Sequence, residues 1–183
     1  MGLFDFFKGN NKEPKYDILS MKVTDLKKRF VFEYDLATWE VQEEYTYDWG
    51  NNEFTKEFKI SDGSRVLFLS VEDDDEVELC LMEKVPVRSV KSDITDYIKT
   101  HEAPPKELVY DGQIYYMDEE APGYFNDGKS TDDDNWKELI SWTYYDKSYT
   151  KVLNIEQWDE YSFEASVGKR IKEIEISNIL PHE

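Results

Sequence analysis

Short segments in which apolar and polar side chains alternate dominate the chain. Five of them come before the middle of the chain and are rich in aromatic and β-branched residues: 30–34, 38–47, 53–60, 65–71 and 77–82. Alternation with period two, interrupted by turn-forming residues, is typical of antiparallel strands that bury one face. The pair Asp62-Gly63 favours a tight turn between two of the segments. The pattern predicts an antiparallel meander with Val77, Leu79 and Leu81 directed to the core.

One helix is predicted to interrupt the strands. Ser92 is a suitable N-cap, and the apolar residues Ile94 and Ile98 follow it at helical spacing. Pro104 cannot continue a helix and ends the segment. We therefore expect residues 89–106 to form a short helix followed by a connector.

Strand-like segments resume after the helix. A hairpin is predicted over 108–117 and an acidic loop over 123–135, and further strands are predicted at WKELISWTYY, YTKVLNI, EYSFEASV and RIKEIEIS. In the last of these, Ile174 and Ile176 alternate with glutamates and are expected to be core residues.

The two halves of the chain resemble each other. Placing Trp136 on Trp39 brings several aromatic and β-branched positions into register, which indicates a duplicated unit of about four or five strands. The alternative is that two meanders look alike because both alternate.

The predicted fold class is all-β and mainly antiparallel, with two tandem similar meander-like or barrel-like units joined by one short helix and packed as one globule. The predicted boundaries are 1–15 for an apolar N-terminal foot and polar tether, 16–88 for the first β unit, 89–106 for the helix and connector, and 107–183 for the second β unit. The pattern leaves open whether the units form one barrel, a sandwich or two small barrels.

Charge and cysteine content narrow the choice of partners and compartment. The chain carries 41 Asp and Glu against 22 Lys and Arg, a formal net charge of −19. Such a charge repels nucleic acid, so no nucleic-acid partner is expected. Cys80 is the only cysteine, and no signal-peptide pattern or membrane-spanning apolar stretch is present. We expect a cytoplasmic protein, either free or peripheral to the inner membrane.

Common catalytic and metal-binding patterns are weak in this sequence. His101 and His182 have no cysteine or histidine at metal-ligand spacing, and no glycine-rich phosphate loop is present. Cys80 lies within a predicted strand and is expected to be buried and inert. The aspartate runs 73–75 and 132–134 do not follow the spacing of a calcium loop and are predicted to be solvated turns. We expect no cofactor, no metal and no catalytic residue, although paired carboxylates keep a carboxylate-dependent enzyme open as an alternative.

Aromatic and acidic residues occur together at several positions. A surface of π-faces and carboxylates attracts organic cations, and the acidic charge of the chain makes polyamines natural ligands to test. The alternative is that these aromatic side chains belong to the core. The candidate ligand-binding residues are Tyr45, Tyr47, Asp48, Trp49, Trp142, Tyr144 and Trp158.

Three stretches carry a resemblance to a known family: EYTYDWGNNEFTKEFKI, YDGQIYYMDEEAPGYF and IEQWDEYSFEASVGKRIKEIEISNILP. They are similar to an uncharacterised bacterial family, domain of unknown function four-one-seven-eight, over about residues 30–181. The resemblance implies no established activity. It implies a gene context of phage-shock-type membrane-stress proteins and polyamine-synthase-like enzymes, and therefore a place at the membrane periphery.

The first residues, MGLFDFFK, form an apolar foot with Leu3, Phe4, Phe6, Phe7 and Lys8 as candidate contacts to a membrane or a partner. Burying four such side chains releases at most about 6–8 kcal/mol before ordering costs, which permits reversible binding but no stable anchor. The alternatives are docking on a protein partner or on the rest of the chain. The function predicted from sequence is a non-enzymatic binding or adaptor module, with a sensor of small organic cations as the alternative.

If the foot contacts lipid, the full chain should float with liposomes and a chain lacking residues 1–15 should not, because the apolar side chains of the candidate contact lie in the foot. Liposome flotation measures this, and the melting temperature of the shortened chain shows whether its β-rich body remains folded. Unfolding of the shortened chain would mean that the phenylalanines belong to the core.

Overall fold

The strands form one sheet that closes into a ring. The computed structural model describes residues 20–129 and 135–182. The described strands are β1 (Val31–Tyr34), β2 (Ala37–Gly50), β3 (Glu53–Ser61), β4 (Val66–Asp73), β5 (Val77–Val85), β6 (Glu107–Tyr110), β7 (Gln113–Asn126), β8 (Lys137–Tyr145), β9 (Lys151–Gln157), β10 (Phe163–Ile171) and β11 (Ser177–Leu180). Two helices, α1 (Val87–Val90) and α2 (Ile94–His101), separate β5 from β6, and 3-10 turns cover Val23–Asp25 and Glu173–Glu175.

Hydrogen bonding links the strands in the order β11-β1-β2-β3-β4-β5-β10-β9-β8-β7-β6. An additional antiparallel pairing of β2 with β7 closes the strands from β2 to β5 and from β7 to β10 into a ring. The two junctions between the halves differ in length, since β5 and β10 join over seven residue pairs and β2 and β7 over three. The prediction of an all-β, mainly antiparallel fold is confirmed.

Two apolar cores cover one face of this sheet. The first core, built mainly by β1 to β5, includes Phe32, Trp39, Val41, Phe58, Ile60, Leu69, Val71, Leu79, Leu81 and Ile179. The second core, built by α1, α2 and β6 to β10, includes Val90, Ile94, Ile98, Leu108, Tyr115, Trp142, Tyr144, Leu153, Ile155 and Ala165. Because side chains alternate along a strand, the residues between these positions point to the opposite face.

The helical region differs in detail from its prediction. Ile94 and Ile98 are buried in α2 as expected, but Asp93 rather than Ser92 occupies the N-cap position. A second, four-residue helix, α1, precedes it directly after Pro86.

Two strand boundaries were predicted wrongly. Ile174 is 88% exposed, because it lies in a 3-10 turn where period-two alternation does not apply, whereas Ile176 is buried as predicted. The expected loop over 123–135 begins later, because β7 continues to Asn126 and pairs there with both β2 and β8.

The observed order of strands does not match the alignment that places Trp136 on Trp39. Trp39 lies in β2, the second strand of its half, whereas Trp136 directly precedes β8, the third strand of its half. The division into units 16–88 and 107–183 stays a prediction. The foot 1–15 lies outside the described residues, and within the described residues no helix is long and apolar enough to cross a membrane.

Gly168 allows β10 to approach β5 at the longer junction. A Cβ atom at this position would lie 2.0 Å from the carbonyl oxygen of Leu81. We expect Gly168→Ala to lower the free energy of unfolding by about 3 kcal/mol, because backbone atoms must shift. Gly112→Ala serves as the control, since φ is +74° there but the space is open, and it should cost about 1 kcal/mol. Chemical denaturation measures both, and equal losses would contradict the close approach.

Candidate functional site

The face of the sheet opposite the two cores encloses a cavity of about 170 Å³, which we call the interior cavity. On β3, for example, Thr55 and Glu57 line the cavity, whereas Phe58 and Ile60 belong to the first core. The lining combines glutamates, aromatic rings and smaller side chains: Glu53, Glu57, Glu72, Glu78, Glu119 and Glu156; Tyr47, Trp49 and Tyr145; Thr55, Ser70, Ser141, Thr143, Asn154 and Ser166; and Cys80, Met82, Ala121 and Val152. No lysine or arginine is among these described lining residues.

Two carboxyl groups from opposite halves of the chain meet at the hydroxyl of Tyr47. The Tyr47 hydroxyl lies 3.4 Å from Glu57 Oε1 and 3.5 Å from Glu156 Oε1. Burial raises the pKa of Glu57 to about 7, and the nearby Glu156 carboxylate adds to the rise. Burial raises the pKa of Glu156 as well, against the effect of Lys84. One of the two groups therefore readily holds a proton near neutral pH.

Lys84 is the cation that balances this pair. Its Nζ lies 3.3 Å from Glu156 Oε2 and 2.9 Å from Oε2 of Glu164, which is exposed at the surface. Burial alone would lower the pKa of Lys84, but Glu156, Glu57 and Glu164 outweigh it and hold the pKa above its usual value. Lys84 is thus always charged, and it faces more carboxylates than it can neutralise.

Three exposed glutamates, Glu72, Glu78 and Glu119, form a second part of the cavity wall, which we call the mouth. Arg170 Nη2 lies 2.6 Å from Glu78 Oε2, whereas Glu72 and Glu119 have no ion pair among the described residues. Partial burial, reinforced by Glu78 and Glu119, raises the pKa of Glu72. The mouth therefore carries negative charge that attracts cations.

Aromatic rings cover the short junction between β2 and β7. The ring centroid of Phe125 lies 5.4 Å from that of Tyr45, 5.2 Å from that of Tyr47 and 5.0 Å from that of Trp158. Trp49 stacks on Tyr47 at 5.3 Å, and its Nε1 donates to Thr55 Oγ1 at 2.9 Å. We call these five rings the seam cluster. Its contacts support a junction that only three residue pairs hold together.

The structure separates the candidate ligand residues into two groups. Tyr45, Tyr47, Trp49 and Trp158 meet in the seam cluster, with Asp48 beside them on β2. Trp142 and Tyr144 are fully buried in the second core, where Trp142 Nε1 donates to Glu120 Oε2 and the Tyr144 hydroxyl donates to the Pro105 carbonyl. Of the candidates, Tyr47 and Trp49 line the interior cavity. The foot residues Leu3, Phe4, Phe6, Phe7 and Lys8 lie outside the described residues.

The structure adds residues that the sequence pattern did not single out. Glu57, Glu156 and Lys84 occupy polar positions of alternating strands, which predicts a wet face but not that this face lines a ring. Phe125 lies in β7, but the sequence pattern predicted a loop over 123–135 and therefore gave this residue no role. No signal in a single sequence brings β3 and β9 to opposite walls of one cavity, because that depends on how the ring closes.

Cys80 also lines the interior cavity, where it is half-buried. Burial raises the pKa of its thiol to about 11, so the thiol remains protonated at neutral pH and is a poor nucleophile. Among the described residues, no three His, Cys, Asp or Glu side chains are arranged to hold a metal ion. The chemistry that the lining offers is therefore hydrogen bonding, proton exchange between carboxyl groups and attraction of cations.

The comparisons with known proteins give a family without an assigned activity. The family model described as "Domain of unknown function (DUF4178)" matches residues 30–173. An uncharacterized protein of Aquifex aeolicus (strain VF5) is 29% identical over 175 residues, which cover 96% of this chain and 94% of the relative. No solved structure matches.

The raised pKa of Glu57 predicts a pH dependence of stability. The folded chain holds this proton up to about pH 7, whereas the unfolded chain releases it near the ordinary value of 4.5, so the free energy of unfolding falls as pH rises through this window. In Glu57→Gln the fall should be shallower, and at about pH 8 the variant should be at least about 1 kcal/mol more stable than the unchanged chain. Urea denaturation across this pH range measures both. Glu173→Gln, which removes an exposed carboxylate, is the control, and parallel curves for all three chains would contradict the assignment.

Proposed function

The chain belongs to the DUF4178 family, and because that membership assigns no activity, we propose from the interior cavity that the protein is a non-enzymatic binding module for a small organic cation. The observation that carries this proposal is the composition of the cavity wall. Six glutamates and three aromatic rings line it, and the lining residues that the structure describes include no lysine or arginine. A ligand ammonium group would meet carboxylates and π-faces together, the combination that binds organic cations in proteins.

The size of the cavity limits the ligand. A volume of about 170 Å³ is below the roughly 300–1,000 Å³ of sites for drug-sized molecules, which favours a short amine over a nucleotide or an aromatic cofactor. The exposed mouth glutamates let a longer amine extend toward solvent. Putrescine and spermidine are therefore suitable probes, since both carry ammonium groups at the ends of thin aliphatic chains.

The buried pair supplies a place for one ammonium group. Glu57 and Glu156 share Lys84 as their cation, and burial favours the protonated form of Glu57. An arriving ammonium group favours the ionised carboxylate, so binding should release a proton at a pH below about 7. Alternation along β3 and β9 places both carboxyl groups on the cavity side of the sheet, and the Tyr47 hydroxyl lies within 3.5 Å of each.

A carboxylate-dependent enzyme is the second candidate function. It is favoured by the convergence of Glu57 and Glu156 on one hydroxyl in a partly enclosed cavity. Two carboxyl groups in unequal environments can act as acid and base, and Lys84 makes these environments unequal by pairing with Glu156. An adaptor role at the membrane face rests on the foot and stays a prediction of the sequence.

Calorimetry with spermidine tests the proposed ligand class. We expect saturable binding that persists at about 150 mM salt, because a cavity site is screened less than a surface counterion atmosphere. Glu57→Gln should weaken the affinity about tenfold, since it removes a carboxylate from the wall at constant side-chain shape.

Glu173→Gln is the matched control, because it changes the net charge by the same amount at an exposed position outside the cavity. Heat that disappears at physiological salt, or equal effects of the two substitutions, would contradict a cavity site. Mass spectrometry of the amine after incubation separates the two candidate functions, because a binding module returns the amine unchanged.

A further inference from the structure

A second concave surface lies on the outside of the ring. It is an open groove of about 610 Å³ that crosses the ends of four neighbouring strands, β2, β7, β8 and β9, and we call it the outer groove. Its apolar lining includes Trp49, Trp158, Tyr124, Pro122 and Leu139. Tyr124 is 48% exposed, so a large aromatic face is available to solvent here.

The outer groove is acidic as well as aromatic. Asp48, Glu138, Asp159 and Glu160 line it, and no lysine or arginine is among its described lining residues. None of the four carboxylates forms an ion pair within the described part of the chain. The groove therefore presents unneutralised negative charge that a basic partner would complement.

Trp158 provides a third observation. Its ring packs edge-on against Phe125 at 5.0 Å, and its Nε1–H is buried without an acceptor among the described residues. A buried donor without a partner is unfavourable, and such groups are rare in folded proteins. Trp158 also lines the outer groove, so a carbonyl oxygen of a bound chain would be a suitable acceptor for this donor.

We propose that the outer groove binds an extended, proline-containing segment of a partner protein that carries lysine or arginine. Grooves lined by aromatic rings accept extended proline-rich segments, which expose carbonyl oxygens and lose little entropy on binding. Tyr124, Trp49 and Trp158 supply the rings, and Glu138 and Glu160 pair with the basic side chains. This inference is independent of a ligand in the interior cavity.

Fluorescence anisotropy with three labelled synthetic peptides, the first two of about ten residues, tests the proposal on the full chain. The first peptide has Pro-x-x-Pro spacing with flanking arginines, the second has glutamates in place of the arginines, and the third has the sequence of residues 1–19. We expect saturable binding of the first peptide at about 150 mM salt and at least about tenfold weaker binding of the second.

Substitutions locate the binding surface. Tyr124→Ala should weaken binding of the basic peptide about tenfold, and the double variant Glu138→Gln with Glu160→Gln should weaken it and reduce its salt dependence. Trp158→Phe keeps a ring but removes the donor, and a several-fold loss is expected. Tyr116→Ala is the matched control, because Tyr116 is a similarly exposed tyrosine on the same strand, 44% exposed and outside the groove. Melting temperatures confirm that each variant is folded.

Three results would overturn the proposal. One is the absence of saturable binding by the basic peptide, and another is an equal loss in the Tyr124 and Tyr116 variants. The third is tight, Tyr124-dependent binding of the 1–19 peptide alone, which would make the chain's own first residues the occupant.

Discussion

Closure of the sheet is the constraint on which the rest of the structure depends. Once β2 pairs with β7, every second side chain of the eight ring strands must face inward, whatever its chemistry. The apolar positions are already committed to the two cores on the other face. Many inward positions are therefore polar, and the ring encloses carboxyl groups that would otherwise stay in water. The closing junction is also the shorter one, and the seam cluster compensates for its few backbone hydrogen bonds.

Enclosure makes the inward carboxyl groups chemically unlike those on the surface. Glu57 and Glu156 lose hydration without gaining a cation each, and Lys84 can balance only part of their charge. A proton on one of the two carboxyl groups, or a bound cation beside them, lowers the electrostatic cost of this arrangement. A chain selected for stability alone would place apolar residues at these positions, since a buried charged network is often no more stable than a hydrophobic one. Folding stability alone therefore does not account for glutamates at these positions, which agrees with the proposed binding role.

Features that depend on neighbouring residues could be predicted from the sequence, whereas features that depend on how distant strands pair could not. Alternation identified the strands β1 to β5 with boundaries within a few residues, and helical spacing identified Ile94 and Ile98, because both patterns are properties of neighbouring residues. The same alternation failed at Ile174, where three residues turn instead of extending. Alternation also could not show that Tyr47 and Trp142 lie in different environments, because each belongs to an aromatic-rich strand with the same alternating pattern. Only the pairing of distant strands decides that Tyr47 lines the cavity and that Trp142 lies in a core.

Trp49 connects the two concave surfaces of the molecule. It lines both the interior cavity and the outer groove, and its ring packs so closely on β7 that a Cβ atom on Gly123 would lie 2.5 Å from its Cε3. The ring therefore cannot move toward β7 and is held on its other side by Tyr47 and Thr55. Trp49 therefore forms a fixed wall between the two surfaces, in keeping with the independence of the two proposed sites.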